Sequence, residues 1–207
     1  MKKIPSVFIR DKKTHFFTME VNPECQWVLD GEGIATEKFD GTCCMIKDGV
    51  IYKRYDAKHG KTPPEGFIPA QEPDSITGHW PGWIECYRNN PNDKYHFEAF
   101  DLKKKWKDGT YELCGPKINT NRENLDSHIL YKHGMSTYFE PLGIKRTYDS
   151  IQMYVLKIKG ETPFLTNVEG IIFHHPDGRM AKVKYKDFSI FNLMERVWLN
   201  KKGKNQE

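Results

Sequence analysis

The sequence predicts an α+β fold of mainly antiparallel sheets with few helices, and three observations predict it. Short apolar runs of strand length recur along the 207 residues, Asp-Gly turns stand between pairs of them, and sustained helical periodicity is nearly absent. With 12 Phe, 10 Tyr and 5 Trp and an apolar fraction of 38%, the chain can fill a packed core and is not of disordered type. The length suits one domain over residues 1–207.

Taken in order, Cys43–Ile46, the turn Lys47-Asp48-Gly49 and Val50–Tyr52 read as a β-hairpin. Thr62–Pro91 is dense in Pro, Gly and Trp and reads as an ordered surface loop whose aromatics want burial, with no domain boundary. Tyr95–Phe100 and Tyr111–Leu113 are strand candidates, and Arg122–Lys132 is a candidate short helix. Gly170–His174, Pro176-Asp177-Gly178 and Met180–Tyr185 form the second hairpin. Side chains alternate along a strand, so Ala181, Val183 and Tyr185 share one face and Lys182, Lys184 and Lys186 the other.

A net charge of +4, from 32 basic and 28 acidic residues, permits a polyanionic partner without requiring one. Basic clusters stand at Lys103-Lys104-Lys105, at Lys182, Lys184 and Lys186, and at Lys201, Lys202 and Lys204. Most such runs are solvated faces, unless chemistry lies beside them. The five cysteines, Cys25, Cys43, Cys44, Cys86 and Cys114, are odd in number and lack C-x-x-C spacing. Neither a disulfide framework nor a zinc site is indicated, and a reducing cytosol fits. No signal peptide precedes the fold and no apolar stretch reaches membrane-spanning length, so the expectation is a soluble cytoplasmic protein.

Several residues can carry chemistry, each with a plainer role available. Lys38, in TEKFDGTCC, is either a surface lysine beside an Asp-Gly turn or a nucleophile. Glu112 and Glu169 are either charges at strand positions or oxygen ligands for a hard cation. The alternating lysines of MAKVKYK are either a half-exposed strand or a basic comb over phosphates. His174 and His175 are assigned to packing and surface, because neighbours on a strand face opposite ways and no third ligand is evident.

The order K-x-D-G, a following arginine, a strand glutamate, E-G-I-I and K-V-K resembles the covalent nucleotidyltransferase superfamily of ATP-dependent ligases and capping enzymes. KIPSVFI, TEKFDGTCC, KRYDAK, PGWIECYRNNP, YELCGPKIN and EGIIFHHPDGRMAKVKY are similar to a small family of ATP-dependent RNA ligases that join 5′-phosphate to 3′-hydroxyl ends, a family that includes the vertebrate cytosolic RNA ligase. The resemblance implies a nucleotidyltransferase (adenylation) fold with Lys38 as the nucleophile that becomes lysyl-AMP. It places Glu37 at the adenine pocket, Arg54 on sugar or RNA phosphate, Glu112 at the strand glutamate, and Lys182 and Lys184 in motif V. Asp40 takes the acidic place of motif I, and Glu169 the motif IV carboxylate. Glu98 competes with Glu112, and Lys58 with Arg54.

The resemblance also implies ATP and Mg2+ or Mn2+ as cofactors, the metal falling to Glu169, Glu112 and Asp40. It implies RNA with 5′-phosphate and 3′-hydroxyl ends as the partner, with no membrane and no obligatory protein partner. A lysine is almost wholly protonated at neutral pH, so a nucleophilic lysine needs desolvation and nearby cations. Only 23 residues follow Lys184, too few for a C-terminal OB domain. The alternatives are a minimal DNA ligase, another nucleotidyltransferase, or a catalytically idle nucleic-acid-binding module.

Overall fold

A computed structural model describes residues 2–75, 77–103, 105–134, 145–160 and 169–189. The chain opens with an antiparallel pair, β1 (Phe8–Arg10) and β2 (Phe17–Val21), and a short helix, α1 (Gln26–Leu29). After β3 (Ile34–Lys38) comes the expected hairpin, β4 (Thr42–Lys47) and β5 (Val50–Ala57). Its turn residues Asp48 and Gly49 both have positive φ, 52° and 76°, the condition for a type I′ turn that matches strand twist. Then follow β6 (Ile68–Pro69), β7 (Trp80–Glu85), α2 (Lys94–Phe100), β8 (Gly109–Cys114), β9 (Ile129–Lys132), α3 (Tyr148–Gly160), β10 (Gly170–His174) and β11 (Met180–Lys184). The class is α+β, with mostly antiparallel sheets and few helices among the described residues.

Three segments differ from the sequence reading. Tyr95–Phe100 is helical, because Asn90 accepts from the Asn92 N–H and Pro91 opens a 3-10 turn that runs into α2. Arg122–Lys132 holds no helix: Asn119, Asn121 and Asn124 take left-handed φ of 46–49° in successive turns, and the segment ends in β9. The stretch read as a loop, Thr62–Pro91, contains β6 and β7, and β7 is paired on both sides. Pro81 and Gly82 within it break the usual strand signature.

Two compact units are distinguished among the described residues, 2–4 with 36–134, and 5–35 with 145–160 and 169–189. In the first, six antiparallel strands stand in the order β6-β7-β5-β4-β8-β9. Alternation gives this sheet two unlike faces. Cys44, Ile46, Ile51, Leu113 and Leu130 form the buried face, with Ala99 of α2 in the same core and Tyr95, Phe97 and Phe100 packed against it. The opposite face takes Cys43, Arg54 and Glu112, in register with Glu112 across from Cys43.

In the second unit the sheet order is β11-β10-β3, the start of β3 belonging to this unit. Pro5 and Val7 run beside β11: the Lys182 N–H donates to the Pro5 carbonyl at 2.9 Å and the Val7 N–H to the Lys182 carbonyl at 3.0 Å. Phe8, Phe17, Tyr148 and Phe188 pack edge to face, with ring centroids 4.8–6.3 Å apart. Gly170 pairs with Lys184, and a Cβ there would press into the Val183 carbonyl. That close approach accounts for the glycine of E-G-I-I. The strand stops at Lys184, and Tyr185–Asp187 forms a 3-10 turn rather than continuing the alternation.

Candidate active site

β3 delivers Glu37 and Lys38 into a turn that the following segment fastens down. Asp40 is the anchor. Its carboxylate accepts from Thr120 Oγ1 at 2.8 Å, Arg122 Nε at 2.9 Å and Asn119 Nδ2 at 3.3 Å, and its N–H donates to Glu123 Oε1 at 2.7 Å. Asn119 Nδ2 also reaches the carbonyls of Asp40 and Gly41. Burial pushes the Asp40 carboxyl up, but the Thr120 and Arg122 hydrogen bonds and the positive charges of Arg122 and Lys38 outweigh it, leaving it below the ordinary value. A Cβ on Gly41 would press into the Leu113 carbonyl, so this glycine lets the turn lie against β8. Lys38 Nζ donates to the Phe39 carbonyl at 3.2 Å. Phe39 stacks on Tyr131, centroids 4.3 Å apart. Glu37 has its carboxyl pushed up by burial and by the charge of Glu123.

Glu112 is a strand residue, on β8, with Cys43 opposite it. Its Oε2 meets His133 Nε2 at 2.9 Å, and His133 Nδ1 lies 2.9 Å from Thr110 Oγ1. A Cys43 sulfur, a Glu112 oxygen and a His133 nitrogen all lie within 4.8 Å of one another. Burial first, and then the Glu112 charge, push the Cys43 thiol up to about 12. Arg54, on β5, lies over the Trp83 ring with its guanidinium carbon 5.0 Å from the centroid. Of the competing residues, Glu98 sits on α2 bonded to His128 at 2.7 Å, and Lys58 lies exposed past the end of β5.

Glu169, Lys182 and Lys184 belong to the other unit. The β10–β11 register puts Lys184 opposite Gly170 and so beside Glu169, and Lys184 Nζ lies 2.5 Å from Glu169 Oε1. Glu169 is only 8% exposed, so this carboxylate is largely shielded from water and has Lys184 as a charged partner. Lys182, Lys184 and Lys186 line an open pocket of about 370 Å³ together with Arg10, His15 and Asp187. Arg10 is ion-paired to Asp187. Four cationic side chains line the pocket, two of them already paired, Arg10 with Asp187 and Lys184 with Glu169, so its lining is net positive.

The three carboxylates expected to hold a metal differ in what they offer. Glu169 presents oxygen beside a cation-lined pocket, the donor type a hard cation takes. Glu112 stands with sulfur and nitrogen donors, a set suited to a softer ion. Asp40 is occupied by three protein donors. Sequence reasoning assigned no role to Arg10, His15, Arg122, Glu123, His133 and Asn119; Arg10, Arg122, Glu123, His133 and Asn119 meet partners distant in sequence, and His15 lines the pocket. The resemblance-bearing run KIPSVFI adjoins Arg10, and YELCGPKIN contains Asn119 and lies close to Arg122 and Glu123, which was the available signal. His175 meets Glu32 at 2.6 Å and Asp177 at 2.8 Å.

No family model matches the chain. It is similar to proteins named RNA ligase 1: 26% identical to that of Pongo abelii, covering 88% of this chain and 79% of the relative, and 22% identical to that of Rattus norvegicus, covering 97% and 85%. The Mus musculus protein of the same name is 23% identical, covering 97% and 84%. This distant likeness along most of both chains supports an RNA-ligase-like family. Among the described residues no helix is long and apolar enough to cross a membrane.

Proposed function

We propose that this chain, residues 1–207 as one adenylation domain, is an ATP-dependent RNA ligase that joins 5′-phosphate to 3′-hydroxyl ends. The observation that carries the reading is the likeness, along nearly the whole chain, to proteins named RNA ligase 1. The geometry is compatible in kind: an anchored lysine turn on one unit and a cation-lined pocket on the other.

In this reading Lys38 Nζ attacks the α-phosphorus of ATP, a nitrogen–phosphorus bond forms, and the bond to pyrophosphate breaks. Asp40 positions the lysine through the turn it fastens, and Glu37 borders the base. Lys182 and Lys184, with Arg10 and His15 at the rim, hold phosphate oxygens and offset the charge that builds as pyrophosphate leaves. AMP then passes to the RNA 5′-phosphate, and the 3′-hydroxyl of the other end displaces it to make the phosphodiester. Arg54 contacts the RNA backbone. Glu169 would hold Mg2+ or Mn2+, which would supply further charge neutralisation at the phosphates.

The test is ligation itself. Wild-type chain, ATP and magnesium are incubated with a 5′-phosphorylated RNA and a matched DNA, following AMP-capped ends and joined product. RNA joined faster than DNA, with both products lost in Lys38→Ala, is the expected result. Faster sealing of DNA would replace RNA with DNA as the substrate, and no joining of either would leave a binding module.

A further inference from the structure

The segment between the end of β7 and the first turn of α2 buries three side chains of metal-ligand type that the ligase reading does not use. Cys86 is 4% exposed, Asp93 0% and His96 7%. A sulfur, a carboxylate oxygen and a ring nitrogen from these three lie within 4.8 Å of one another. Asp93 stands at the N-cap of α2, yet its carboxylate makes no capping bond there. It is turned instead to Lys53 Nζ and to the Tyr87 N–H, at 3.0 Å for the latter.

His96 is the telling residue. Neither of its ring nitrogens has a hydrogen-bond partner among the described residues, although the side chain is more than nine-tenths buried. A buried polar group without a partner is costly, and native interiors rarely keep one without a reason. Burial chiefly, with the Lys53 charge, lowers the imidazole's pKa against the pull of Asp93. A neutral imidazole has a ring-nitrogen lone pair to give to a metal ion.

We propose that Cys86, Asp93 and His96 form a site for one zinc ion, with the sulfur, a carboxylate oxygen and an imidazole nitrogen as ligands and water in the fourth position. The donor set selects zinc over magnesium, because sulfur and nitrogen are poor ligands for a hard ion. Asp93 and His96 are three residues apart at the start of a helix, and Cys86 comes from the neighbouring strand end, so the ion ties α2 to the six-stranded sheet. Lys53 and the Tyr87 N–H act as outer partners that fix the carboxylate, whose oxygens keep further lone pairs for a metal. Binding breaks the S–H bond of Cys86, makes a sulfur–zinc bond and releases the proton to solvent. Because that thiol must lose its proton to bind, zinc uptake weakens as pH falls. The cysteine spacing did not suggest such a site, since only one of its ligands is a cysteine.

The experiment uses the full chain, stripped with a chelator and titrated with zinc alone. Expected are one zinc per chain after gel filtration, by atomic emission, and a raised melting temperature. Cobalt in place of zinc should give a near-ultraviolet sulfur-to-cobalt band that persists in Cys43→Ser, weakens in His96→Gln and disappears in Cys86→Ser. Should Cys86→Ser fail to fold, Cys43→Ser decides between the two cysteine-bearing clusters. No bound zinc, an unchanged melting temperature, no cobalt band in the wild type, a band that survives Cys86→Ser, or one that vanishes in Cys43→Ser overturns the proposal.

Discussion

Asp40→Ala tests whether the turn carrying Lys38 is held by its aspartate. The substitution removes the acceptor for Thr120, Arg122 and Asn119. Arg122 is 34% exposed on its side chain and can return to water, so its share is that of a surface pair, about 1 kcal/mol at most. The Thr120 bond and the longer Asn119 bond to a charged, mostly buried carboxylate add roughly 1–2 kcal/mol. The total is about 1–3 kcal/mol, a melting temperature lower by about 2–12 °C for a chain of this size. Asp40→Asn keeps one acceptor oxygen and should lose about half as much. The pH dependence has a definite sign. The folded carboxyl titrates below its unfolded value of about 3.9, so the stabilisation is present above that pH and is lost as pH falls through the lower folded value. Denaturant unfolding of wild type and variant at pH 7 and in steps down to about pH 3 should show a gap that narrows in acid. Equal stability at pH 7, or a gap that does not narrow, would refute the anchoring role.

Glu37→Gln should stabilise the protein at neutral pH. Burial and Glu123 raise the folded pKa of Glu37, so its contribution is favourable only below the unfolded value and is lost as pH rises through the raised one; the denaturation midpoint should be higher than wild type at pH 7 and equal to it near pH 4. Gly41→Ala should cost about 1–3 kcal/mol by overpacking against the Leu113 carbonyl, read as an earlier unfolding midpoint, and an unchanged midpoint would contradict the close approach. Lys182→Ala should slow both enzyme labelling by ATP and AMP transfer to RNA on the order of a hundredfold, whereas Arg54→Ala should spare labelling and weaken RNA joining more steeply as salt rises. Wild-type rates for Lys182→Ala in both steps would remove it from the phosphate site.

Both Asp-Gly hairpins were legible because turn chemistry and alternation agree there. The segment from Tyr95 to Phe100 was not, since aromatics at 95, 97 and 100 satisfy a strand pattern as readily as a helix, and the deciding signal, Asn90-Pro91, lies outside the run. β7 was hidden because Pro81 and Gly82 are depleted in strands. At the site, the juxtaposition of Glu169 and Lys184 follows from a hairpin register that the sequence implies. The partners of Asp40 and Glu112 do not. Arg122, Glu123 and His133 arrive through long-range strand pairing and asparagine turns, for which no local spacing rule exists.

The central claim is a covalent nucleotide on Lys38. Purified chain incubated with α-labelled ATP and magnesium, denatured, digested and sequenced by mass spectrometry should carry AMP on the peptide containing Lys38, with the label absent from Lys38→Ala and reversed by pyrophosphate. A label that persists in Lys38→Ala, one that maps to another lysine, or no label on the wild type would contradict it.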